Sequence, residues 1–337
     1  MSRTEVFGRM PDGAEVTRIC ISGGGLTAWI STYGAVLQDL RLDGHGPALV
    51  LGFEDFPPYL SHSPYFGATA GRCANRVRQG RFTLDGIEYQ LDQNAAGGHC
   101  LHGGSVGIGK RLWSLEDSGP SHARLSIKAA DGHMGFPGNI EISAQFSLKP
   151  GGVLDIAYEA QTDAPTLCNL AHHSYFVLDD SGSILDHRLH IDADRFLPAD
   201  QTFIPSGEVR DVTGTGYDFR LGRTIRAANA DGHIDTNFCL SNSREELRDI
   251  ARLESDRSGV SMGIRSTEPG LQVYDAARID IPVLGLGGMT FQNFAGLALE
   301  PQIWPDAINH PDWAQPILRP GETYRQHTQF VFKKEAA

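Results

Sequence analysis

Apolar and polar residues alternate with a period of two through much of the 337-residue chain, and no other feature constrains the fold as tightly. Strict alternation sends one set of side chains into a core and the other to solvent only when the backbone is a half-buried β-strand. Asn139 to Leu148 puts Ile140, Ile142, Ala144, Phe146 and Leu148 on one face, with Glu141, Ser143, Gln145 and Ser147 on the other. Leu154 to Gln161 repeats the pattern, with Leu154, Ile156 and Tyr158 set against Asp155, Ala157 and Glu159. Arg81 to Leu91 reads as a hairpin about Asp85-Gly86, because a two-residue type I′ turn needs positive φ at both positions. Leu26 to Thr32, Arg124 to Ala129, Arg188 to Asp192 and Gln329 to Phe332 are further strand candidates. Ser243 and Glu246 offer a capping box for a helix over Ser243 to Ala251. Ala251 to Ile264 also reads as two strands about Asp256 to Gly259, which leaves room for one helical turn at most. The expected class is all-β: a large antiparallel sandwich with little helix, residues 1–337 forming one domain.

Charge narrows the partners. The formal net charge is −12, which argues against nucleic acid or an anionic membrane, since both attract basic surfaces. No apolar run approaches the ~18 residues of a membrane span, and the N-terminus MSRTEVFGRMPDGAEV has no apolar signal-peptide core. Five scattered cysteines without a C-x-x-C pair fit reduced thiols. A cytoplasmic protein, monomeric or homodimeric and acting on a neutral small molecule, is the expectation.

The chemistry centres on NLAHHSYFVL, Asn169 to Leu178. Read as one buried strand, it points His172 and His173 to opposite faces, so only one of them serves a given site. Four other clusters accompany it: GRCANR at 71–76, HCLHGG at 99–104, HIDTNF at 233–238, and LALEPQIWPDAINHPDW at 297–313. Glu300 stands out, because a glutamate inside an apolar run is buried and burial raises its pKa towards the range of a general base. Each feature also has a structural reading: Arg72 and Arg76 as ion-pair residues, His102-Gly103-Gly104 as a turn, Glu300 as the partner of a core arginine, His172 as a satisfied core histidine. Thirteen histidines without H-E-x-x-H or zinc-type spacing give no metal site, and no nucleophile elbow, Walker loop or dinucleotide fingerprint is present.

Taken in order, these segments resemble the aldose 1-epimerase (galactose mutarotase) family. The likeness covers GRCANR (71–76), LHGG (101–104), GFPGN (135–139), NLAHHSYF (169–176), IPSGE (204–208), DFR (218–220), DTNF (235–238), EPGLQVY (268–274), LALEPQIWPDAINHP (297–311) and LRPGETY (318–324). The resemblance implies a β-supersandwich with a sugar groove on one sheet, no metal or organic cofactor, and interconversion of the α and β anomers of free aldoses. It implies His173 as catalytic acid, Glu300 as catalytic base, and His102 as the residue positioning the sugar near its ring oxygen. Arg72, Asn75 and Arg76 would contact sugar hydroxyls, and Tyr175, Asp235 and Gln272 would complete the lining. A carboxylate facing an imidazolium is the expected resting state. The chain departs from the family pattern at His172 and Val177, at Asp275-Ala276-Ala277 and at Ile303-Trp304. These departures leave the acid–base pair intact and the choice of aldose open. The rival readings are a hexose-6-phosphate mutarotase, which needs a cationic pocket, and a non-catalytic carbohydrate-binding module.

Overall fold

The computed structural model describes residues 3–229 and 232–335. Nine antiparallel strands form the larger sheet, in the spatial order Ser114–Gly119, His122–Ala129, Ile140–Lys149, Val153–Thr162, Tyr324–Lys334, Val260–Ser266, Arg248–Ser255, Arg188–Ile191 and Arg223–Thr224. The alternation read from the sequence sets its faces, since Ile140, Ile142, Ala144, Phe146 and Leu148 are all buried. The Asp85-Gly86 hairpin joins Arg81–Leu84 to Ile87–Gln90, and φ is +50° at Asp85 and +81° at Gly86, as a type I′ turn demands.

Six strands matter for the site. They are β1 (Ala68–Ala70), β2 (Ala171–His173), β3 (Tyr175–Phe176), β4 (Asp235–Cys239), β5 (Gly270–Tyr274) and β6 (Leu297–Gln302). The second sheet runs β3-β6-β5-β4 and continues through Arg195–Leu197 and Arg210–Asp211. Its strands alternate cleanly. Leu271, Val273, Phe238, Leu297 and Leu299 face the common core, which also takes Ile264, Phe330 and Phe332 from the nine-stranded sheet. Phe176 and Phe330 close the contact with ring centroids 4.8 Å apart. The opposite face of this sheet is polar yet largely covered, and that combination makes it a site rather than a solvated surface.

One expectation needs correction here. Asn169 to Leu178 is not one strand: β2 pairs with β1, the chain breaks at Ser174, and β3 pairs with β6. The stretch passes from one pairing partner to another at Ser174. Ser243 to Ala251 contains no helical turn, within the limit of one set by the sequence, and Arg248 onward belongs to the expected hairpin, Arg248–Ser255 with Val260–Ser266. There, ladder pairing with β-branched and apolar residues prevails over the capping box.

Candidate active site

Strand register assembles the polar face. Gln272 lies opposite Glu300 on one side and Asn237 on the other, Asp235 opposite Tyr274, Gly270 opposite Gln302, and Tyr175 opposite Ala298. Opposed residues share a face and residues two apart return to it. Tyr175, Glu300, Gln302, Gln272, Tyr274, Asp235 and Asn237 therefore form one polar patch. Gly270 leaves room for it: a Cβ there would come within 2.7 Å of Asn237 Oδ1 and 2.8 Å of Trp304 Cδ1.

The mid-chain stretch brings His173 to this patch. Asn169 clamps it to the end of β6, its Oδ1 accepting from Ile303 N at 3.0 Å and its Nδ2 donating to Ile303 O at 3.2 Å. His173 Nε2 then lies 3.4 Å from Glu300 Oε1, with the two side chains 6% and 3% exposed. His172 points the other way, into the core against Phe146 and Phe330, with Nε2 sharing a hydrogen bond with Ser174 Oγ at 2.7 Å. The strand rule that one histidine serves the site holds at this position.

Loops complete the walls. His102 takes φ of +50° and Asn75 φ of +58°, left-handed positions that a side chain adopts only when its surroundings hold it there. Asn75 N donates to His102 Nδ1 at 3.2 Å and His102 N to Asn75 O at 3.0 Å, so the two loops lock each other. The His102 ring lies 5.0 Å from His173 and 4.6 Å from Tyr65. Tyr175 donates its hydroxyl to Pro64 O at 3.2 Å, and Gln272 Nε2 donates to Asp235 Oδ1 at 2.7 Å. His173, Glu300, His102, Asn75, Arg76, Tyr175, Asp235 and Gln272 thus gather where the sequence places them.

Arg72 does not. It is 2% exposed, and its guanidinium donates to Pro137 O, Gly138 O, Ala129 O, Ala130 O and Thr166 Oγ1 at 2.9 to 3.4 Å. With its donors occupied by main-chain carbonyls, Arg72 fastens the 129–138 segment and has little left for a hydroxyl. Sequence reasoning also passed over Tyr65 and Gln302, whereas Asn237 belongs to the HIDTNF cluster it singled out. Gln302 sits two residues after Glu300, so strand alternation alone could have found it.

Buried polar atoms without partners concentrate on this face: Tyr65 OH, Arg76 Nε, His173 Nδ1, Asn237 Oδ1, Glu300 Oε2 and both amide atoms of Gln302. Each such atom costs about 1–3 kcal/mol unless something hydrogen-bonds to it. A ligand rich in hydroxyls, which both donate and accept, removes that cost at several of them together.

Burial sets the protonation. It pulls His173 down to about 4 and pushes Glu300 well above the usual carboxylate range, with Asp235 adding to the rise and Arg76 opposing it. The expected carboxylate–imidazolium pair is therefore not the arrangement that burial favours; an uncharged pair holding one proton is. The two arrangements differ only by the transfer of that proton. His102 is also held well below 6.5 by burial and is neutral. Because its Nδ1 accepts the Asn75 N–H, Nε2 carries the proton and acts as a donor. His102, His173 and Glu300 do bring ligand-type atoms within 4.8 Å of one another. A His102 nitrogen that carries a proton cannot bind a metal ion, so the trio suits an oxygen-rich organic ligand better than a cation.

The fold agrees with that of the chain's relatives. The aldose 1-epimerase family model matches residues 17–331. A galactose mutarotase of Bos taurus is 39% identical, with 97% of each chain covered. An aldose 1-epimerase of Escherichia coli K12 is 31% identical, covering 96% of this chain and 97% of its own. The crystal structure of an aldose epimerase homologue from C. elegans superposes with a TM-score of 0.89 at 31% identity, covering 95% of this chain and 99% of that one. With a match of this extent and a polar β-sheet face arranged around one histidine and one glutamate, the chain belongs to the aldose 1-epimerase family.

Proposed function

We propose that the protein is a mutarotase, an isomerase that interconverts the α and β anomers of a free aldose by acid–base ring opening and reclosure. The contact between His173 and Glu300 carries this reading. Opening a cyclic hemiacetal requires a base at the C1 hydroxyl and an acid at the ring oxygen. Both oxygens are bonded to C1, so acid and base must be neighbours rather than a ring's width apart. The pair's one proton first passes from Glu300 to His173; Glu300 then takes the hydroxyl proton while His173 delivers one to the ring oxygen, and the C1–O bond breaks to give the aldehyde. The pair then stands as neutral imidazole and carboxylic acid, the arrangement that burial favours. Rotation about C1–C2 presents the other carbonyl face, and reclosure returns both protons. The pair ends each turnover with the one proton it began with, so no external acid or base is needed. His102 Nε2–H, Arg76, Asn75, Asp235, Gln272, Asn237 and Gln302 supply the hydrogen bonds that hold the ring hydroxyls.

The pH profile tests the shared proton. Activity requires one proton on the pair and is lost when His173 accepts a second. The acid limb of kcat/KM, corrected for uncatalysed mutarotation, is expected near pH 4 rather than near the 6.5 of a free imidazole. A limb at 6.5 contradicts the assignment. Binding through Arg76 is tested separately: Arg76→Met raises KM for galactose ~10–100-fold, the equivalent of a charge-assisted hydrogen bond, and changes kcat far less. Steady-state polarimetry at several sugar concentrations separates the two constants.

A further inference from the structure

Arg278 takes no part in the chemistry above, yet it stands at the mouth of the same groove. A cleft of about 330 Å³ opens beside Asp235 and is lined by Phe203, Tyr274 and Arg278, among others. Two guanidiniums converge on its aromatic wall: Arg278 Cζ lies 4.4 Å and Arg76 Cζ 5.0 Å from the centre of the Phe203 ring. Such stacking orients a guanidinium and leaves its N–H fork free for a ligand. Among the described residues neither guanidinium has an acidic partner within ion-pair distance, although the chain carries 41 acidic residues against 29 basic ones. Arg210 lines the same cleft and behaves otherwise, bonded to Glu208 at 2.7 Å. Arg278 is exposed, while Arg76 Nε is buried and unpartnered.

The platform is fixed in advance. Phe203 has φ of +64°, an outlier for a bulky residue. Its loop is tied by Asp200 Oδ1, which accepts from Thr202 N at 2.8 Å, Thr202 Oγ1 at 2.6 Å and Ile204 N at 3.3 Å. The Asp200 carboxylate is thereby engaged within its own loop. Asp235, the other acid on the cleft, is tied to Gln272. Neither carboxylate comes within ion-pair distance of the two guanidiniums, so their N–H forks stay open to a ligand.

We propose that Arg278 and Arg76, gathered on Phe203, form a subsite for a singly charged anionic group carried by the aldose, so that a hexuronic acid is a better substrate than the corresponding neutral hexose. The planar carboxylate matches the guanidinium fork, and Asp200 and Asp235 on the cleft repel the charge of about −1.5 to −2 on a phosphate monoester more than a single charge. The inference rests on the mutarotase reading and specifies its substrate class.

Anomer-exchange rates of galacturonate, galactose and galactose 6-phosphate, measured by NMR at one low ionic strength with the native protein and with Arg278→Gln, test it. The native protein is expected to favour galacturonate over galactose about tenfold in kcat/KM, and Arg278→Gln to lower that ratio about tenfold, mainly through KM. Added salt is expected to reduce the preference. A native preference for galactose, or a ratio unchanged in Arg278→Gln, overturns the subsite. A preference for galactose 6-phosphate over galacturonate overturns its assignment to a monoanion. Acceleration of none of the three sugars overturns the mutarotase reading itself, and the subsite with it.

Discussion

Glu300→Gln is expected to equilibrate freshly dissolved α-galactose ~10²–10⁴-fold more slowly than the native protein, with KM nearly unchanged. The amide keeps the shape of the carboxylate and can still hydrogen-bond, but it cannot take a proton from the C1 hydroxyl. The substitution leaves the fold intact for a stated reason. Glu300 Oε2 has no partner in the protein, so no internal hydrogen bond through that atom is lost. A buried ionisable group is also replaced by a neutral one, which favours the folded state. Thermal unfolding at an equal or higher temperature, together with the lost rate, marks Glu300 as catalytic rather than structural. His173→Gln is expected to fall by a similar factor. Acid and base act in one concerted exchange, so the double variant is expected to be little slower than either single one. Multiplying penalties would mean that the two residues work independently, and the shared-proton account does not allow that.

The second large effect belongs to Arg72 and falls on stability. Arg72→Met removes a guanidinium that joins four main-chain carbonyls and Thr166 Oγ1, and leaves several buried acceptors without a donor. Losing a buried, fully bonded charged group costs about 3–5 kcal/mol. That corresponds to a fall of roughly 4–7 °C in the unfolding temperature of a protein of this size. Calorimetry or circular dichroism checks it. An unchanged unfolding temperature with a raised KM would restore Arg72 to the sugar site. Arg72 and Arg76 stand four residues apart in one motif, yet they act on different quantities, and comparing Arg72→Met with Arg76→Met shows this in one experiment.

Much of this was legible in the sequence because strands report their own faces. The alternation in Asn139 to Leu148 named the buried residues of one strand correctly, and Asp85-Gly86 named a turn. Histidines at successive positions had to diverge, and they do. What the sequence could not carry was the third dimension of loops. Arg72 and Arg76 look equivalent in GRCANR, and only the course of the 129–138 segment decides that one guanidinium is enclosed by carbonyls. The break at Ser174 also escaped local reasoning, since it depends on which strands lie alongside. Tyr65 and Phe203 belong to loops without a periodic signal. Protonation was misjudged for a related reason: residue types suggested an ion pair, while depth of burial in the folded protein favours the uncharged form.

The account turns on whether sugar binding and anomer exchange separate at the His173–Glu300 pair. Glu300→Gln/His173→Gln should be titrated with galactose by calorimetry and then followed by polarimetry after adding pure α-galactose. Binding within about tenfold of the native affinity, with optical rotation decaying at the uncatalysed rate, is the predicted result. Decay at the native rate would contradict it, because the anomers would then be exchanging without the one imidazole and the one carboxyl on which the mechanism depends.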